Sequence, residues 1–92
     1  MNGKTNNVKK YNGKLNVIGN QIQCLRIEKH LSLYQLSNML QLIGIDIPKP
    51  SLQNIESGKR IVKEYEFYAI CKVLDVPMEK MLENFINELE SQ

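Results

Sequence analysis

The spacing of apolar side chains changes character near Val17. Before it, Met1 to Asn16 is rich in Asn, Lys and Gly and has no hydrophobic period, which predicts a mobile or weakly ordered segment. After it, Ile18, Ile22, Leu25 and Lys29 follow a helical period, with Arg26 on the same face. This first helix is expected to end near His30, where a residue tolerating positive φ is wanted and His serves less well than Gly. The second helix has the clearest start signal. Ser32 can cap it, Gln35 completes a capping box, and Leu31 and Leu36 stand where a hydrophobic staple would pair. Leu33, Leu36, Leu40 and Ile43 form its stripe, and Gly44 ends it.

The next stretch, Ile45 to Pro50, is not expected to run helically through its prolines, and Lys49 before Pro50 is pushed toward an extended conformation. Pro50 suits the first turn of a third helix, Ser51 to Ser57, and Gly58 suits the position after its end. Leu52 and Ile55 should face inward, leaving Ser51, Gln53 and Asn54 available to solvent or a ligand. A fourth helix is predicted from about Glu64 to Leu74, burying Phe67, Ile70, Cys71 and Leu74, and Asp75-Val76-Pro77 breaks it. Met78, Met81, Leu82, Phe85, Ile86 and Leu89 then make the stripe of a fifth helix. No strand pair or internal repeat appears. The expected fold class is all-α: a five-helix bundle over residues 18–92, preceded by a flexible basic arm, residues 1–17.

Size and charge narrow this picture. Ninety-two residues suit one domain with a modest core. The apolar runs fall far short of a membrane span and the polar, basic N-terminus does not resemble a signal peptide, so the expected location is the cytoplasm. Cys24 and Cys71 form no disulfide framework and read as two free thiols. The net charge is only +2, yet residues 1–18 carry four lysines and no acid, while residues 78–92 carry four glutamates against one lysine. A basic start and an acidic tail fit a polyanion at one end of the domain.

Two short helices joined by a turn, the second polar outside and ended by Gly58-Lys59-Arg60, form a recognisable unit. Around it, Ile18-Gly19, Ile22, Leu25-Arg26, Leu31-Ser32, Leu36-Ser37, Leu40, Ile55-Glu56-Ser57-Gly58-Lys59-Arg60, Leu74-Asp75-Val76 and Leu82 resemble the Cro/C1-type helix-turn-helix domain of phage and bacterial repressors. The resemblance implies a lambda-repressor-like fold and a sequence-specific DNA-binding transcriptional regulator that reads the major groove with helix 50–57. The partners it implies are double-stranded DNA and a second copy of the chain. The family's base-reading positions fall on Lys49, Pro50 and Asn54, with Ser51 and Gln53 close enough to contribute, and its phosphate-contacting loop falls on Lys59 and Arg60. Asn and Gln can bond adenine bidentately, and Lys and Arg can neutralise phosphates without reading sequence. Similar domains pair an arginine of the first helix with the glutamate ending the third, which implies a structural pair between Arg26 and Glu56.

Three departures from the family pattern bear on DNA reading. The turn between Leu40 and Ile47 is longer than the compact family turn, Leu33 replaces a common glutamine, and Pro48 and Pro50 remove N–H groups from the tip of the reading helix. They motivate an alternative: a protein-binding adaptor or antitoxin-like regulator that keeps the fold with weak or no DNA reading. Cys24 and Ile27, apolar where the family is usually polar, could be covered by the arm 1–17 or by another subunit; an exposed apolar patch there with no continuous positive face would support the adaptor.

The remaining chemistry is sparse. His30 lacks a Cys or acid cluster, so no metal site is expected, and Ser32 lacks a base and reads as a cap. Without a nucleophile–base pair, metal-ligand spacing or phosphate loop, no enzyme activity, cofactor or small-molecule ligand is expected. Tyr65 and Tyr68 flank Phe67 and read as packing residues. The last stripe extends to Leu89, and Phe85, Ile86 and Leu89 are the candidate dimer interface, since twinned half-sites need a symmetric protein.

Overall fold

The structure is a computed structural model and describes residues 10–91. Among them lie six helices: α1 Gly19–Glu28, α2 Leu33–Leu42, α3 Lys49–Glu56, α4 Glu64–Leu74, α5 Met78–Met81 and α6 Glu83–Glu90. The architecture is all-α.

Local chemistry sets most of the boundaries. Ser32 Oγ accepts from the Gln35 N–H at 3.0 Å, while Gln35 Oε1 accepts from the Ser32 N–H at 2.8 Å, so the capping box at the start of α2 is complete. The first four helices all end alike. His30, Gly44, Gly58 and Asp75 take left-handed conformations, and the next residue in each case donates back five positions: Leu31 to Arg26, Ile45 to Leu40, Lys59 to Asn54, and Val76 to Cys71. This satisfies carbonyls that a helix end otherwise leaves without partners.

The long turn between α2 and α3 is anchored from within. Ile47 is fully buried, and Ser37 of α2 donates its hydroxyl to the Ile47 carbonyl at 2.7 Å. Ile47 joins Ile18, Ile22, Leu36, Leu40, Leu52, Ile55, Ala69, Ile70, Cys71, Leu74 and Met81 in one core. Burying a branched aliphatic side chain of this kind contributes about 1.5–3 kcal/mol. Ile43, assigned to the α2 stripe from its spacing, is instead 43% exposed, because α2 ends at Leu42 and Ile43 is its C-cap, out of the helical period.

Three further expectations change. The predicted fifth helix is two, jointed at Leu82, which ends α5 and begins α6. No Gly or Pro marks that joint. Met81 is fully buried against the core, whereas Met78 at the start of the same stripe is 44% exposed. Tyr65 and Tyr68 are half exposed on the outer side of α4 and do not pack inside, since Glu66, Ala69, Ile70 and Cys71 occupy its inner face. Of the segment expected to be a flexible arm, residues 1–9 lie outside the described residues, and residues 10–17 fold onto the domain. There Tyr11 and Lys14 close a tight turn by exchanging backbone hydrogen bonds, and the Leu15 N–H donates to the Gly58 carbonyl at 2.8 Å.

Candidate nucleic-acid interface

The third helix begins at Lys49, two residues before the predicted start at Ser51. Pro48 is its N-cap and Pro50 its second residue. First-turn N–H groups have no partner within the helix, so proline is tolerated there, and the Leu52 N–H still reaches the Pro48 carbonyl at 3.0 Å. Leu52 and Ile55 are fully buried and Glu56 is 7% exposed. Lys49, Pro50, Gln53 and Asn54 are exposed on the opposite side, and Ser51 is half-buried at its edge. The helix therefore rests on an apolar underside, packed against α1 and α2, and presents amide and cationic groups outward.

Two contacts fix that helix to the scaffold. Arg26 of α1 donates from Nε and Nη2 to the two carboxylate oxygens of Glu56, at 2.7 and 3.0 Å, and from Nη1 to the Leu31 carbonyl at 2.8 Å. The two side chains are only 11% and 4% exposed, so the pair is held out of water with its donors and acceptors matched. The hydrogen bonds that Arg26 donates to Glu56 hold the guanidinium pKa above its ordinary value, against the opposing effect of burial. Gly19 supplies the second contact. A Cβ there would overlap the Ile55 and Glu56 carbonyls, so only glycine lets the start of α1 abut the end of α3 this closely.

Beyond α3 the two cations of the loop have different fates. Lys59 is exposed and makes no ion pair among the described residues. Arg60, expected beside it as a second phosphate contact, is committed within the chain. Its Nη1 and Nη2 donate to the two oxygens of Glu66, each at 3.0 Å, and Nη1 also donates to the Ile61 carbonyl at 2.9 Å. Glu66 accepts a further bond from the Lys63 N–H at 3.0 Å, which caps α4. Hydrogen bonding from Arg60 holds the Glu66 carboxyl below the usual carboxylate range, more than offsetting its burial. A bidentate partner six residues on thus uses much of the Arg60 fork.

Sequence reasoning also missed Asn16. Its Oδ1 accepts from the Ile18 and Gly19 N–H groups at 3.0 and 2.8 Å, capping α1. Its Nδ2 donates to the Ile55 and Arg60 carbonyls at 3.0 and 2.9 Å. One side chain thus joins the start of α1, the end of α3 and the loop after it. The signal was an amide two residues ahead of the N-cap Ile18, from where a side-chain oxygen reaches N–H groups two and three residues on. It was hidden because residues 1–17 lack an apolar period.

The candidate dimer residues separate. Phe85 is half-buried beneath Tyr11, ring edge to face at 5.1 Å, and Tyr11 donates to Glu88 Oε1 at 3.3 Å. Ile86 is half-buried, and Leu89 is 50% exposed. On α1, Cys24 and Ile27 are exposed, while Cys71 lies in the core, where burial pushes its thiol up. No helix among the described residues is long and apolar enough to cross a membrane.

Comparison with known proteins agrees with this geometry. A family model described as helix-turn-helix, of the Cro/C1 type, matches residues 23–81, well over half of the chain. No curated protein and no solved structure matches. The matched span takes in the braced α3, all of α2, the second half of α1 and the loop that carries Lys59. The chain belongs to the Cro/C1-type helix-turn-helix family of DNA-binding regulatory domains.

Proposed function

We propose that this protein is a sequence-specific transcriptional regulator, repressor-like in action, that sets α3 in the major groove of DNA as one half of a homodimer. The observation carrying this reading is the two-sidedness of α3. Its underside is fully buried at Leu52 and Ile55, and its outer side exposes Lys49, Pro50, Gln53 and Asn54. Asn54 and Gln53 suit adenine, Lys49 suits guanine, and the Pro50 ring suits a thymine methyl, with Ser51 at the rim. Pro48 and Pro50 leave few N–H groups at the tip of α3, so side chains and not helix-end amides do the reading. Lys59 is the principal phosphate contact. Arg60 reaches a phosphate only with the edge that Glu66 leaves open. Leu89, with Ile86 and the flank of Phe85, supplies the two-fold contact that paired half-sites require.

The test is a genomic binding selection with the purified protein, followed by titration of the selected duplex at two salt concentrations. Enrichment of one sequence, bound far more tightly than random duplex, is expected. Lys59→Ala should weaken binding to all sequences alike and flatten the salt dependence, whereas Asn54→Ala should relax preference at one base position. Unchanged affinity in both variants defeats the reading. Light scattering that finds a monomer at high micromolar concentration, with and without DNA, removes the dimer.

The second reading is an adaptor or antitoxin-like protein whose partner is another protein. One observation favours it: Ile27, 57% exposed, lies beside exposed Cys24 on α1. A selection that enriches no sequence, together with a partner lost on Ile27→Glu, would place it first.

A further inference from the structure

We propose that the segment Tyr11–Asn16 is part of the DNA-contacting machinery: Lys14 adds a phosphate contact beside Lys59, and Asn16 is the positioning residue that holds the shared loop. The inference rests on the reading that α3 and the loop after it meet DNA. It goes beyond that reading by extending the interface to a segment outside the matched helices.

The geometry begins at Gly58, whose φ of +79° turns the chain out of α3. The Lys14 side chain lies over it. A Cβ added at Gly58 would meet Cβ, Cγ and Cδ of Lys14, so the lysine stem packs where another residue would have a side chain. Only Cε separates Nζ from that Cδ, which puts the Lys14 ammonium next to the Gly58–Lys59 turn. Lys14 and Lys59 are both exposed, and neither makes an ion pair among the described residues. Two cations without ion pairs, one packed over Gly58 and one following it, raise the local positive potential, and a phosphate backbone is the partner that lowers it.

The loop is fastened to this segment by backbone groups. Leu15 N–H holds the Gly58 carbonyl at 2.8 Å, and Asn16 Nδ2 holds the Arg60 carbonyl at 2.9 Å, so the carbonyls on either side of Lys59 are both tied to residues 15 and 16. Asn16 also bonds the Ile55 carbonyl at 3.0 Å, which sets the loop relative to the reading helix itself. Phosphate contacts fix register on the duplex. A residue that locks their frame to α3 therefore governs how the recognition side chains meet the bases.

Two variants test this with a labelled random-sequence duplex and fluorescence anisotropy over a range of salt. Lys14→Met keeps the stem that covers Gly58 and removes the charge. It should reduce the slope of log K against log salt by about 0.9, the share of one phosphate contact, so that a fourfold rise in salt weakens it about threefold less than wild type. Asn16→Ser adds no charge and keeps a hydroxyl acceptor for the start of α1, but is too short to bridge the Ile55 and Arg60 carbonyls. It should also flatten the slope while unfolding cooperatively, whereas a purely structural role would lower the melting temperature and leave the slope alone. If wild type binds with a steep slope that Lys59→Ala flattens, yet folded Lys14→Met and Asn16→Ser match wild type, this inference fails and the reading of α3 stands. If wild type shows no salt-dependent binding to duplex, both fail together.

Discussion

Removing one member of the Arg26–Glu56 pair should be far more damaging than removing both. Glu56→Leu leaves the Arg26 guanidinium 11% exposed, with only the Leu31 carbonyl as partner, and Arg26→Met leaves a carboxylate 4% exposed with no donor from α1. Breaking a buried pair in this way costs about 3–5 kcal/mol, whereas exchanging both ions for apolar residues of similar volume is often neutral or better. Arg26 retains one hydrogen bond and some access to water, so Glu56→Leu should fall at the lower end, about 3 kcal/mol, and Arg26→Met near 4. In the double variant the desolvation cost disappears along with the attraction, and stability should return to within about 1 kcal/mol of wild type. The assay is urea denaturation followed by far-ultraviolet circular dichroism, analysed as a double-mutant cycle. For a domain of this size a loss of 3 kcal/mol lowers the melting temperature by about 12–24 °C, which thermal scans would resolve easily. A double variant as unstable as the sum of the singles would refute the argument, since the two charges would then be acting independently. DNA titration of the double variant adds a second reading: if the pair orients α3, affinity should fall even where stability recovers.

Other substitutions probe separate parts of the scaffold. Gly19→Ala gains up to about 1 kcal/mol of helix propensity but drives a Cβ into the Ile55 and Glu56 carbonyls; overpacking of about 1–3 kcal/mol should win, and a more stable variant in denaturant melts would overturn the close approach. Glu66 has a folded-state pKa below its unfolded value. Its contribution is therefore complete above the unfolded value of about 4.3 and is lost as pH falls through the lower folded value. Glu66→Gln should be less stable at neutral pH and show a shallower loss in acid, checked by urea midpoints between about pH 2 and 7. His30, left-handed with φ at 59°, should accept glycine with a gain of up to about 1 kcal/mol, and a loss would mean that its side chain holds α1 in place.

The legible part of this protein was local. Ser32 with Gln35, Gly44, Gly58 and the Asp75-Val76-Pro77 break announce helix ends because caps and left-handed turns depend on a few neighbouring residues. The apolar period of α1, α2 and α4, and the two faces of α3, follow from side-chain hydrophobicity alone. Together with the residues around Gly58-Lys59-Arg60, they sufficed to place the chain in its family.

What tertiary structure decided was where the polar groups were spent. Arg60 and Lys59 are adjacent cations with equal claims in sequence, yet Glu66 from α4 takes one and leaves the other exposed. Asn16 looked like part of an unstructured lead-in, and its amide bonds to Ile55 and Arg60 lie 39 and 44 residues away. The stripe from Met78 to Leu89 reads as one helix, but Met81 must enter the core while Phe85 meets Tyr11, and the chain bends at Leu82 between them. Hydrophobic periodicity is a property of neighbours along the chain. Hydrogen-bond and ion-pair partners are chosen by proximity in space, which only the packed fold defines.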